Sequence, residues 1–334
     1  MRALLSVYEA RYPREAEFVV GYVGADVPVE LITAAGALPV RLAGDPDGDL
    51  SAGDTYLGRG LDPMARSVLA RLLAGDYGRL DKLVVSRDCE ASLRLFYAVR
   101  ELRRIEPAFG LPEVYLVDVL HLPHRTTTAY NLARLEQFRQ RLRDWTGRPV
   151  SDADLAAAIA SHDEQRALLS SLAAARREGR IAGSDWLAVV GAGTVLPVAA
   201  HLSLLRELST VDLPEHAGKR VFLTGSSHDT PHVYRALESA GHLIVGEDHD
   251  WGDLWYRRRV DGHTLLALAE RYQYNGPTAQ RSTVDERRAL IAEGMRHAEL
   301  LIGYARRGDE APPWDFAGHE GLFYERQDYG RIAL

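Results

Sequence analysis

Residues 60–95 read GLDPMARSVLARLLAGDYGRLDKLVVSRDCEASLRL and contain the chain's one cysteine, Cys89. From Ala65 to Leu73 apolar residues recur at helical spacing, with Arg66 and Arg71 turned outward. Gly75 and Gly78 break that helix. Leu83-Val84-Val85 then forms a short apolar run of the kind a buried parallel strand needs, with Ser86-Arg87-Asp88-Cys89 directly behind it. A thiol just past the carboxyl end of a buried strand, opposite the start of the preceding helix, sits where α/β sheets carry their chemistry. A lone cysteine is more often a small buried hydrophobe, and that reading stands beside the functional one.

Upstream, Val19 to Val23 reads as a buried strand, Pro28 to Gly36 as a helix with proline in its first turn and a glycine cap, and Leu38 to Leu42 as a second strand. Glu30 lies in the first turn of that helix, where the helix dipole alone favours a carboxylate. Residues 1–17 read as a short charged helix, and Gly44 to Gly60 as a surface loop. Downstream come a helix over Ala91 to Arg104 and a strand at Val114 to Val117. His121-Leu122-Pro123-His124-Arg125 follows at the strand's end, where basic groups either face a ligand or are solvated.

From Thr126 to Arg206 the pattern is helical. Ser151 and Asp154 form a capping box for a long helix reaching Glu178. Gly191-Ala192-Gly193 lacks the third glycine of a dinucleotide fingerprint. Gly218 opens a second α/β unit: strands at Arg220 to Thr224, His242 to Val245 and Leu300 to Tyr304, helices at Pro231 to Ala240, Thr264 to Tyr272 and Val284 to His297, then a short tail. The expected fold is α/β, two flavodoxin/Rossmann-like parallel-sheet domains with a helical insert between them. The expected divisions are residues 1–125, 126–210 and 211–334.

Composition sets bounds. The chain has 334 residues, 46% hydrophobic and 26% charged, the balance of an ordinary globular protein. A net charge of −7 without a clustered basic stripe argues against nucleic acid as a partner. One cysteine excludes an internal disulfide framework, the charged first residues do not read as a signal peptide, and no apolar run approaches a membrane span. A cytoplasmic location is expected.

Three motifs now carry a resemblance. Asp-Pro-Met-Ala-Arg-Ser at 62–67 is followed by an apolar helix, a Gly-Asp-Tyr turn, an apolar strand and Asp-Cys-Glu at 88–90. Pro28-Val29-Glu30-Leu31-Ile32-Thr33-Ala34-Ala35-Gly36-Ala37-Leu38-Pro39-Val40 precedes them, and Arg307 to Asp315, ending Pro312-Pro313-Trp314-Asp315, follows the last strand. In this order they resemble the 2-hydroxyacyl-CoA dehydratase / benzoyl-CoA reductase subunit family, from about residue 19 to residue 325. The resemblance implies an enzyme subunit that acts on an acyl-CoA thioester and pairs with a homologous subunit as a homo- or heterodimer. It also implies an ATP-dependent activator protein whose electron makes a ketyl radical on the thioester, and a [4Fe-4S] cluster held by three cysteines. Glu30 would assist proton movement or positioning, Arg66 and Ser67 would steady the loop, and Asp62 and Cys89 would mark two corners of the cluster.

The chain departs from that pattern at the metal. Asp62, Cys89 and Gly308 stand where the three cysteines would. Clusters are held by thiolates, a carboxylate is a harder and weaker ligand, and glycine offers none. Two further readings follow. One is a cluster-free paralogue serving as a thioester-binding or structural partner subunit. The other is a repurposed enzyme with a single divalent metal held by His228, His232 and His249, near Asp248, Asp250 and Asp253. A Ser–His hydrolase is weaker, since Gly225-Ser226-Ser227-His228 lacks a nucleophile elbow.

Overall fold

The computed structural model describes residues 1–10, 16–274 and 282–334. Two four-stranded parallel sheets form its frame. The first runs β2-β1-β3-β4, with β1 Val19–Val23, β2 Leu38–Arg41, β3 Lys82–Ser86 and β4 Glu113–Val117. The second repeats that order as β6-β5-β7-β8, with β5 Lys219–Gly225, β6 His242–Glu247, β7 Leu300–Arg306 and β8 Leu322–Gln327. The α/β reading with two parallel-sheet domains is therefore what the chain folds into.

Strand alternation explains the layers. Val19, Val23, Leu83 and Val85 enter one core with Leu69, Leu95 and Val99, whereas Val20, Tyr22 and Val84 enter the opposite core with Leu31, Phe138 and Leu268. Burial on both faces is why β1 and β3 are uninterrupted apolar runs. In the second sheet, Val221, Leu223, Ile302 and Tyr304 pack with Tyr234 and Leu237, and Phe222 and Leu301 turn the other way onto Ile291.

Two helices cross between the halves. Leu4 and Tyr8 of the helix Arg2–Ala10 pack with the insert helix Gly183–Ala192 and the second sheet's core. Leu268 and Tyr272, on the helix Leu265–Gln273, join the first sheet's core. The helix Asp152–Arg177, 26 residues long, reaches both sheets. Its Arg166 pairs with Glu30, while its Arg176 pairs with Glu247 at the end of β6 and with Asp253 at 3.1 Å.

Two elements differ from the sequence reading, and a third bears it out. Within the expected loop 44–60 lies a helix, Ser51–Leu57, whose residues SAGDTYL are poor helix formers. Packing compensates: a Cβ on Gly53 would lie 2.1 Å from the Arg66 carbonyl, so only glycine allows this close approach. The tail supplies β8, a partly exposed edge strand in which Leu322-Phe323-Tyr324 gives way at once to Glu325-Arg326-Gln327. The Gly191-Ala192-Gly193 stretch ends a buried helix and follows no strand, so it is not a phosphate-binding turn. Among the described residues no helix is long and apolar enough to cross a membrane.

Removing one partner from a buried ion pair costs about 3–5 kcal/mol, because the other charge is stranded. Arg176→Leu is expected to lose about that much in urea unfolding, with Arg180→Leu, at an exposed position, within about 0.5 kcal/mol of the natural chain. Equal small losses for both would show that the Glu247 pair does not hold the helix.

Candidate functional site

In each sheet the strand order reverses direction between its two central strands, and chains leaving those strands' carboxyl ends diverge to open a crevice. Here the two crevices face one another. Gly24 and Ala25 after β1, Asp88 and Cys89 after β3, Ser227 after β5, Asp248 to Trp251 after β6, and Gly308 and Asp309 after β7 line a single cavity of about 440 Å³. Glycine is needed at its edge: Gly225 has φ +115°, and a Cβ there would lie 2.1 Å from the Tyr304 carbonyl oxygen.

Asp62, Cys89 and Gly308 all line this cavity, although they lie far apart in sequence. Asp62 is the N-cap of the helix Pro63–Ala74: one carboxylate oxygen accepts from the Met64 N–H at 2.8 Å. The other accepts from Arg306 at 2.8 Å, across from the second sheet. Cys89 is the N-cap of the helix Glu90–Ile105, its Sγ accepting from the Ser92 N–H at 3.4 Å. Burial, then the neighbouring Asp88 carboxylate, pushes its thiol up to about 12. Gly308 has φ +91°.

These donors do not fit the cluster that the resemblance implies. They amount to one thiol that caps a helix, one carboxylate paired with a buried arginine, and a glycine that offers no ligand, where three thiolates are needed.

The cavity's other arginines are paired, and Asp309 accepts from the Ser226 hydroxyl at 2.7 Å. Arg41, at the end of β2, pairs with Asp250 and lies 3.8 Å over the Trp251 ring. Arg287 pairs with Asp315 at 2.7 Å. Two acids are shifted the other way. Burial raises Asp248 to about 7, even though it accepts from the Thr224 hydroxyl at 2.6 Å and the Gly225 N–H at 3.2 Å. Burial, then Asp26, raises Asp88, whose carboxylate accepts from the Ala25 N–H at 2.7 Å.

The remaining sequence candidates lie elsewhere. Glu30 is wholly buried outside the cavity lining, paired with Arg166 and accepting from the Tyr272 hydroxyl at 2.9 Å. Burial alone would raise its pKa, but Arg166, His162 and Arg271 outweigh it and hold the carboxyl at about 2. Enclosed and ionised, it is a structural anion rather than a group poised to exchange protons with a bound molecule. Arg66 pairs with Asp54 and donates to the Leu61 carbonyl at 3.0 Å, and the Ser67 hydroxyl accepts from the Asp45 N–H at 2.8 Å, so both pin the 44–61 stretch. His121 meets Asp26 at 3.1 Å, whereas His124 and Arg125 are exposed.

The three-histidine metal site is not assembled. His232 faces Asp47 at 3.1 Å and is partly exposed, whereas His228 and His249 are buried. His249 uses both ring nitrogens, toward the Tyr234 hydroxyl at 2.7 Å and the Trp251 N–H at 3.3 Å. His228 is buried with its ring 5.3 Å from that of His249. Among the described residues no group of three or more His, Cys, Asp or Glu side chains is arranged to hold a metal ion. The physical reason is the helix His232–Ser239, which begins at His232 and so separates it from the buried loop carrying His228.

Sequence reasoning missed Arg41, Arg287 and Arg306 and gave Asp248 a metal role. Arg306 had one available signal: an arginine closing an otherwise apolar strand, two residues before the position of the third cysteine.

Acid separates these groups experimentally. The folded Glu30 carboxyl titrates at about 2 against an ordinary 4.5, so its stabilisation is full above pH 4.5 and disappears as pH falls through about 2. Glu30→Gln is expected to be less stable at neutral pH and to show a flatter stability profile between pH 4.5 and 2; parallel profiles would contradict the pairing. Cys89, neutral at pH 8, is expected to react with iodoacetamide at least about tenfold more slowly in the folded than in the urea-unfolded chain.

Comparison with known proteins agrees with this geometry. A family model described as 2-hydroxyglutaryl-CoA dehydratase, D-component, matches residues 25–300. The chain is 26% identical over 305 residues to a benzoyl-CoA reductase subunit of Thauera aromatica, covering 83% of this chain and 76% of that protein. It is 24% identical over 232 residues to the (R)-phenyllactyl-CoA dehydratase beta subunit of Clostridium sporogenes, covering 66% of this chain and 59% of that one. With the match running from the loop after β1 to the start of β7 and through all but the last motif, the chain belongs to the 2-hydroxyglutaryl-CoA dehydratase D-component family.

Proposed function

We propose that this chain is a subunit of an acyl-CoA dehydratase- or reductase-type assembly. It binds an acyl-CoA thioester in the cavity between the two sheets and pairs with a homologous subunit. The observation that carries this reading is the convergence of the three separate family motif positions, Asp62, Cys89 and Gly308, on one cavity at the carboxyl ends of both sheets. The names of its relatives, a benzoyl-CoA reductase subunit and a phenyllactyl-CoA dehydratase subunit, support the substrate class. Cytoplasmic residence and an activator partner belong to the same proposal.

The donor set favours one form of it. With Cys89 neutral and Asp62 engaged, this subunit supplies binding and assembly, and electron delivery would fall to a partner with a complete thiolate set. What the cavity itself offers is hydrogen bonding. Asp248, neutral below about pH 7, presents a carboxylic O–H, and the paired arginines leave little unbalanced positive charge to attract a free anion. A thioester carbonyl matches such a donor.

Calorimetric titration with aryl and 2-hydroxyacyl CoA thioesters, against free CoA, tests the reading. Thioester binding that exceeds CoA binding is expected, as is competition between the two thioester classes. Affinity should fall as pH rises through about 7, and Asp248→Asn should flatten that dependence. No heat from any thioester in the folded protein would overturn the proposal.

A further inference from the structure

We infer that Arg306 replaces metal in this subunit: its ion pair with Asp62 joins the two sheets across the cavity at the point where cluster ligands would converge, and excludes an iron–sulfur cluster from this chain.

The two residues belong to different halves. Asp62 caps the first helix turn after the 44–61 stretch on the first sheet's side, and Arg306 is the last residue of β7 in the second. They meet at 2.8 Å, with Arg306 buried and only 24% of the Asp62 side chain exposed. Arg306 is fixed from its own side as well. Its N–H donates to the Ser226 hydroxyl at 2.9 Å, and its guanidinium donates to the Ser227 carbonyl. The cation is thus held by the turn after β5 and aimed at the carboxylate opposite.

Each feature of this arrangement opposes iron. Ligation by Asp62 would have to use an oxygen that already accepts from the helix cap or from Arg306. A metal ion at the carboxylate would also face a fixed guanidinium within a few ångströms, at low dielectric. Cys89 already serves its own helix, its Sγ accepting from the Ser92 N–H at 3.4 Å as the N-cap. At Gly308 a Cβ would meet no atom within 4 Å, so there is room for a side chain, but φ +91° keeps the loop in a conformation suited to glycine. A cross-link between the halves is retained, and its chemistry has changed from metal–thiolate to guanidinium–carboxylate.

Two measurements decide this. The full chain is incubated anaerobically with ferrous iron, sulfide and a thiol reductant, desalted, and assayed for iron, acid-labile sulfide and visible absorbance. No retained iron or sulfide is expected; near-equal iron and sulfide, lost in Cys89→Ala, would overturn the exclusion. Separately, Asp62→Asn keeps an equally good helix cap while removing the charge. It is expected to lower the thermal midpoint by at least about 2 °C, and Asp62→Asn/Arg306→Gln to melt no lower than the worse single variant. An unchanged midpoint in Asp62→Asn, or additive losses in the double variant, would overturn the cross-link; Asp62→Asn suffices if Arg306→Gln does not fold. Both readouts are independent of thioester binding, so a chain that binds no thioester leaves them unaltered.

Discussion

The structure depends on one helix carrying two buried arginines. Arg166 and Arg176 lie ten positions apart on the helix Asp152–Arg177, and each neutralises a glutamate enclosed by a different half: Glu30 beside the first sheet, Glu247 at the end of β6 in the second. Buried ion pairs add little net stability, since desolvation consumes most of the Coulomb gain. What they add is position. A displaced hydrophobic contact can be exchanged for another, whereas a buried guanidinium has one acceptable place. Two such pairs on one rigid rod fix both sheets against it and leave their carboxyl ends facing each other.

That frame makes the cavity. Once the two crevices are opposed, the loops from β1, β3, β5, β6 and β7 crowd into one volume, and most of their charges are resolved across the seam. Arg41 of the first half meets Asp250 of the second, and Arg306 of the second meets Asp62 of the first. The acids without such a cation respond differently: burial leaves Asp248 and Asp88 reluctant to ionise. The result is a polar but largely neutral pocket, fit for hydrogen bonding to an uncharged carbonyl and poor at gathering free anions.

How much was legible follows from what each feature depends on. The strands through Val19–Val23, Lys82–Ser86 and Lys219–Gly225 are apolar on both faces, a property of the local sequence, and they were readable together with the parallel topology they imply. The capping box at Ser151 and Asp154 was equally local. The helix Ser51–Leu57 was hidden because it forms through the close approach of Gly53 to Arg66, a tertiary cause. So was β8, whose partner lies in β7. For the site, motif order brought Asp62, Cys89 and Gly308 together on paper, and the cavity contains all three. The pairing of Arg306 with Asp62 spans 244 positions, and the local sequence marks Arg306 as an oddity without naming its partner. Glu30 misled for a related reason. A first-turn glutamate looks alike in sequence whether it faces a ligand or an arginine from a helix 136 residues away.

The capping geometry also gives the motif positions a role that needs no metal. The first two motif positions are each the N-cap of a helix, Asp62 before Pro63 and Cys89 before Glu90, so each has a backbone duty separate from any ligand duty. Aspartate is among the best N-caps, so Asp62 holds its helix start without a thiolate. Cysteine is a poor cap, and Cys89 performs the task only through a weak acceptor at 3.4 Å. The helix starts can therefore be maintained by selection on folding alone. Gly308 caps nothing; it turns the loop after β7 at φ +91°. The carboxylate that caps the helix Pro63–Ala74 is also the acceptor that a buried arginine from the other sheet requires, so Asp62 serves both the helix and the seam.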